Sequence, residues 1–252
     1  MNKNSTRMLV VALIAAVLST AFAASQISGT SAVQQVQATK ETTEENEHSN
    51  PHVPSFAASA NNLDETKVTE LRIGLHDLWV EHVVWTRQYI VAAAADSPDA
   101  SFAAERLLTN QDEIGDAIKP YYGDEAGAQL TILLKDHILI AVNLLEAAKA
   151  GDAEAVEEIE ENWYANGDDI ATFLSEANPN WTKEDMVSMI NEHLTLTKTE
   201  AVARLTGDYA TDVETFDALY VHGVSMADAF TDGIVKQFEE QFEVHRNGEK
   251  GN

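Results

Sequence analysis

A chain of 252 residues with an ordinary 44% hydrophobic content can bury one fair-sized core or two small ones. Its formal charge of −26 opposes encounter with nucleic acid and anionic lipid, and suits either solubility at high salt or attraction of cations. Cysteine is absent, which excludes disulfides, cysteine lipidation and thiolate metal ligands, so packing alone must hold the fold.

The N-terminus MNKNSTR carries Lys3 and Arg7 and no acid, and is followed by an apolar run from Met8 to Ala24. Ala21-Phe22-Ala23 fits the small-x-small pattern of a signal peptidase site. These features predict an export signal over 1–24 and an extracytoplasmic protein, secreted or, if the segment stays uncleaved, anchored to the membrane. Loss of the two cations would take the charge from −26 to −28. Residues 25–62 are rich in Ser, Thr, Gln and Glu without sustained periodicity, and predict a disordered tether in which His48 and His52 are solvated.

From Leu63 onward the pattern is helical. The first predicted helix, 63–95, has a stripe of Leu71, Leu75, Leu78, His82, Trp85 and Tyr89 at spacings of four and three. Ser97-Pro98 ends it and opens a second helix, which is expected to stop at Pro120 with YYGDE as the loop. A third helix, 124–150, stops at Gly151 as a C′ residue, and a fourth, 152–177, stops at Asn178-Pro179. Thr182-Lys-Glu-Asp185 resembles a capping box for the fifth, and Gly207-Asp208 separates it from a sixth that runs to about Phe242. The prediction is an all-α domain over 63–243, a six-helix up-and-down bundle, with a disordered tail at 244–252. Lys119-Pro-Tyr-Tyr-Gly123 is expected to cap one end of the bundle, and the alternative is a loop that meets a partner.

Sequence similarity at an offset of about 56 residues suggests a helical-hairpin repeat. NQDEIGDAI at 110–118 aligns with NGDDIATFL at 166–174, and His82, His137 and His193 recur at intervals of 55 and 56. MADAFTDGI at 226–234 reads as a degenerate third copy, with Met226 in the Asn position. Reflecting each histidine through its neighbouring turn brings it level with a polar residue on the next helix. His82 lands on Asp112, His137 near Asn110 and Asn166, and His193 on Asn166 and beside His222. His137, in LLKDHILIA, shares its helix face with leucine and alanine, so these groups are expected to form one polar layer across the core.

Unpaired polar groups in a core cost on the order of 2 kcal/mol or more each, so such a layer must satisfy itself or a ligand. Two readings follow. The first is a transition-metal or small-cofactor site with His82, His137, His193 and His222 as ligands, and Asn110, Asp112, Asn166, Asp168 and Asp228 as its polar partners. Imidazole donors without thiolate suit zinc, copper, nickel or iron. The second is a structural or interaction module of the cell envelope, in which a hydrogen-bonded belt sets helix register. Burial is expected to depress the pKa of His137 and His193 in either case. No Glu-x-x-His pair lies on the predicted helices, and there is no GxSxG, HExxH or phosphate-binding loop, so neither a nucleotide nor a reaction is indicated.

The segments LWVEHVVWTR, RLLTNQDEIGDAIKPYYGDEAG, LLKDHILIA, NWYANGDDIATFLSEANPNW and MADAFTDGI together resemble a family of exported bacterial and archaeal all-helical proteins. Some members are automatically named as transferases. The resemblance spans about 70–240 and implies an all-helical exported domain. It implies no mechanism, since neither a nucleotide-sugar site nor an α/β sandwich accompanies it.

Overall fold

A computed structural model describes residues 63–244. The predicted export signal, tether and all but the first residue of the predicted tail lie outside the described residues. The described chain is all-α: α1 (Glu65–Ala94), α2 (Ala100–Ala150), α3 (Ala153–Ala177), α4 (Lys183–Thr206), α5 (Tyr209–Gln237) and a short α6 (Glu239–Phe242). The helix starts are capped by side chains. Asp64, Asp152 and Asp208 accept from backbone N–H groups in the first turns of α1, α3 and α5, and Thr182 accepts from Asp185 N at 3.1 Å to open α4. Gly151 ends α2 in the left-handed region at φ 75°, as its place after the helix predicts.

The sequence reading differs from the structure between Pro120 and Gly123. The helix does not stop at Pro120; it continues through both tyrosines and breaks only at Gly123, with φ 86° and ψ 169°. Only glycine adopts such a conformation without penalty. Proline is tolerated one turn earlier because the hydrogen bond it cannot make belongs to the carbonyl of Asp116, an exposed residue that water can serve. The two arms of α2 then fold against each other. Asp112 meets Lys135 at 2.7 Å, and a Cβ on Gly115 would stand 2.7 Å from the Gly127 carbonyl oxygen. Any side chain at Gly115 would push the arms apart.

The helices close a circuit around one core: α1 packs on α2 and α5, α2 on α3, α3 on α4, and α4 on α5. Leu75, Ile114, Leu134, Trp163, Ile170, Ile190, Leu194, Met226 and Ile234 meet inside it. At the Gly123 end the aromatic segment folds back, as the capping expectation has it. Tyr121 stacks on Phe242 at 5.9 Å, Tyr122 meets Phe238 edge-on at 5.2 Å, and the Tyr122 hydroxyl donates to Gln237 and accepts from buried Asn178. The ends of the described chain are tied together there by a single antiparallel bridge between Leu63 and Glu243.

Candidate functional site

Three imidazoles meet in the middle of this core. His82 on α1, His137 on the second arm of α2 and His193 on α4 are 3%, 5% and 6% exposed, so hydration cannot satisfy them. The rings of His82 and His193 lie 5.4 Å apart, and His137 stacks on Trp163 at 5.2 Å.

His82 and His137 each meet a side chain of the next helical segment, whereas the His193 side chain has only ring contacts. Asn166 on α3 donates its amide to the Leu133 carbonyl at 3.2 Å, so its oxygen is free to accept from His137 Nδ1 at 2.7 Å. That arrangement puts the ring hydrogen of His137 on Nδ1 and leaves the lone pair on Nε2. Asn110 repeats the first contact by donating to the Leu78 carbonyl at 3.0 Å, and its carboxamide also bears on the His82 ring. His222 on α5 repeats it again, with Nε2 donating to the Met189 carbonyl at 3.1 Å while its ring stacks 6.0 Å from His193. The three carbonyls belong to Leu78, Leu133 and Met189, each four residues before a layer histidine. The position that seeks this carbonyl on α5 is therefore His222, not Met226. Met226 is itself a buried core residue.

Gln111 belongs to the layer and was not singled out in the sequence. It is fully buried, donates to the Leu107 carbonyl at 2.8 Å and to Asn110 Oδ1 at 3.0 Å, and lies 3.2 Å from His82 Nδ1. The mirror through residue 97 pointed one position further, at Asp112. A step of one residue turns a helix by about 100°, which carries Asp112 out of the core and onto Lys135. The other two aspartates also stand outside the layer. Asp168 is exposed, and Asp228 is paired with Arg72 and, at 3.0 Å, with His76. Of the nine residues read as the site, His82, Asn110, His137, Asn166 and His193 form its centre, with His222 at its edge.

Several polar atoms of this layer find no partner within the protein: His193 Nδ1, Gln111 Oε1 and the indole Nε1 of Trp163. An orphaned buried polar atom is costly enough that native cores hold few, so three around one layer mark a place built for something beyond self-packing. Burial, with His137 nearby, pushes the pKa of His82 down to about 3, and burial pushes His137 down to about 4 against the bond to Asn166. Burial likewise holds His193 well below the ordinary histidine value, and the other three layer histidines add to it. All three imidazoles of the centre are thus neutral at pH 7, the form that donates a lone pair.

The layer also separates two cavities. One, about 110 Å³, runs from the histidines toward the α2–α3 turn; the other, about 50 Å³, lies on the side of Trp79, Ile114, Trp181 and Phe230. His82, His137 and His193 line both. Among the described residues, no three His, Asp or Glu side chains already stand in a geometry that could hold a metal ion. Compared with protein-family models, curated proteins and solved structures, the chain gives no match.

Proposed function

We propose that this is an extracytoplasmic binding protein whose His82, His137 and His193 hold a transition-metal ion in the middle of the bundle. The observation that carries the reading is three desolvated, neutral imidazoles from three helices meeting beside open space, with the lone pair of His137 set by Asn166. Two imidazoles on one tetrahedral ion have ring centres about 5 Å apart, near the spacing of His82 and His193. Zinc, copper, nickel and iron are the ions that suit nitrogen donors without thiolate. His137 lines both cavities with His82 and His193 and is the third donor. The chain's strong negative charge favours the approach of cations. The reading assigns a binding centre and no reaction.

Elemental analysis of the purified protein tests it. Near-stoichiometric transition metal, lost in His137→Ala, is the expected result; a metal-free protein that takes up no added zinc, copper, nickel or iron overturns it. One feature favours a second reading. Asn110, Asn166 and His222 each donate to a carbonyl of a neighbouring helical segment, which is how a polar belt would pin helix register in an envelope or interaction module. On that reading His137→Ala costs stability whether or not metal is supplied.

The same three contacts support an ancestral hairpin repeat of about 56 residues, with positions 110, 166 and 222 equivalent. An up-and-down arrangement of six rods is supported by the direction in which the rods that line both cavities pass the histidines. Along α1 the lining residues run from Leu75 in the small cavity to Tyr89 in the large one, and along α3 from Val156 in the large to Leu174 in the small. Membership of the exported helical family that the sequence resembles fits an extracytoplasmic location and implies no mechanism.

A further inference from the structure

Beyond any ion, the larger cavity has the composition of a binding site in its own right. We infer that it takes one small uncharged molecule, the size of a single aromatic ring, carrying one hydrogen-bond acceptor that the indole N–H of Trp163 engages.

Size comes first. Protein interiors pack densely and leave few voids larger than a water, whereas this one measures about 110 Å³. That is somewhat smaller than the roughly 150 Å³ of an enclosed apolar cavity that admits benzene, and this one is partly open to its surroundings. Tyr89, Ile138, Val142, Leu145, Val156 and Leu205 are among its walls, so an apolar body fits and a water cluster does not. Charge comes next. Lys198 and Glu160 are the pair of opposite charges in the inner lining, and they are bonded to each other, which leaves no net charge to pair with a charged organic molecule. Asp152, in the α2–α3 turn at the outer end, would repel an anion.

The polar groups then choose the head. The hydroxyls of Thr86 and Thr197 spend their single hydrogens on the carbonyls of His82 and His193, at 2.7 and 2.9 Å. Trp163 lines the cavity, is 2% exposed, and its Nε1 has no acceptor in the protein. An indole N–H only donates, so the matching ligand atom accepts: a carbonyl, ether or phenol oxygen. His137, stacked on that indole, holds the ring in place.

The test uses the full mature chain, both as purified and after chelation, with benzaldehyde, toluene and benzoate as probes. Thermal stability and the tryptophan indole ¹H–¹⁵N signals are read, with Trp163→Phe assigning the Trp163 signal. Benzaldehyde is expected to bind saturably, raise Tm and move the Trp163 signal, with toluene about tenfold weaker, one hydrogen bond's worth, and benzoate inert. Trp163→Phe should bring benzaldehyde and toluene together, and Ala201→Phe, which fills the space, should abolish both; Ala148→Leu serves if that variant does not fold. Failure of benzaldehyde to bind, equal binding of toluene to the wild type, or binding that survives a filled cavity overturns the inference. Binding by chelated, metal-free protein would leave it standing even where the metal reading has failed. A metal-loaded protein deaf to benzaldehyde would sink this inference and leave the ion.

Discussion

α4 carries two buried polar groups seven residues apart, and they are built on opposite plans. Glu200, fully buried, binds Arg87, which also holds buried Asp212 at 2.8 Å; Arg204 reaches the other Asp212 oxygen at 3.1 Å. Carboxylates and guanidinium groups are matched there two to two, and although Glu200 Oε2 also lacks a hydrogen-bond partner, none of the four residues lines either cavity. His193, two turns earlier, sits among neutral rings, has an unpartnered nitrogen, and faces open space on both sides. One cluster is a clamp between α1, α4 and α5; the other is the candidate site. Buried polarity therefore marks a site only where it is left unsatisfied beside room for a ligand.

Breaking the clamp should have the largest effect. Arg87→Ala strands Glu200, leaves Asp212 with Arg204 alone, and is expected to cost on the order of 3–5 kcal/mol in urea unfolding, with metal content per folded chain unchanged. A cost below about 1 kcal/mol would mean the ion pairs are screened like surface ones.

Titration should sharpen the contrast, because the two clusters respond to pH with opposite signs. His137 has its folded pKa depressed from 6.5 to about 4 by burial, so its contribution is present above 6.5 and is lost as pH falls toward 4. The loss across that interval is on the order of 3 kcal/mol for the metal-free protein. Burial raises Glu200 from 4.5 to about 7 despite Arg87, so its contribution is present below 4.5 and is lost as pH rises through 7. Denaturation at a series of pH values should show His137→Gln removing part of the acid-side loss and Glu200→Gln part of the alkaline-side loss. Identical pH slopes in wild type and both variants would place these groups in water.

A smaller effect is expected from Asn166→Ala. It removes the acceptor that orients His137, and should weaken metal affinity about 10–100-fold while costing about 1–3 kcal/mol of stability. Undiminished affinity would detach Asn166 from the centre. Least of all, Asp112→Asn should change stability by no more than about 0.5 kcal/mol and leave metal binding alone, since its partner Lys135 is a part-exposed surface group.

Helix number, most boundaries and the level of the histidines were legible because each rests on local chemistry: spacing of four and three, capping side chains, glycine after a helix. Glu200 had a signal that went unread. Met186, Ile190, His193, Thr197 and Glu200 follow one another at four, three, four and three, which keeps all five on one face. In a chain this acidic a glutamate looks like solvated surface, and its partner Arg87 lies far away in sequence. Gln111 was hidden by its neighbour, since Asn110 accounted for that height in the helix.

By itself the sequence determined an all-helical domain with three imidazoles on apolar faces, because periodicity and burial preference are properties of a single helix. Tertiary packing decided what those imidazoles face. Which side chain steps into the core at 110–112, which nitrogen is left without a partner, and how much space remains beside Trp163 all depend on how far apart the helices settle. That distance is set by contacts such as Gly115 against Gly127, between residues whose meeting no local pattern encodes.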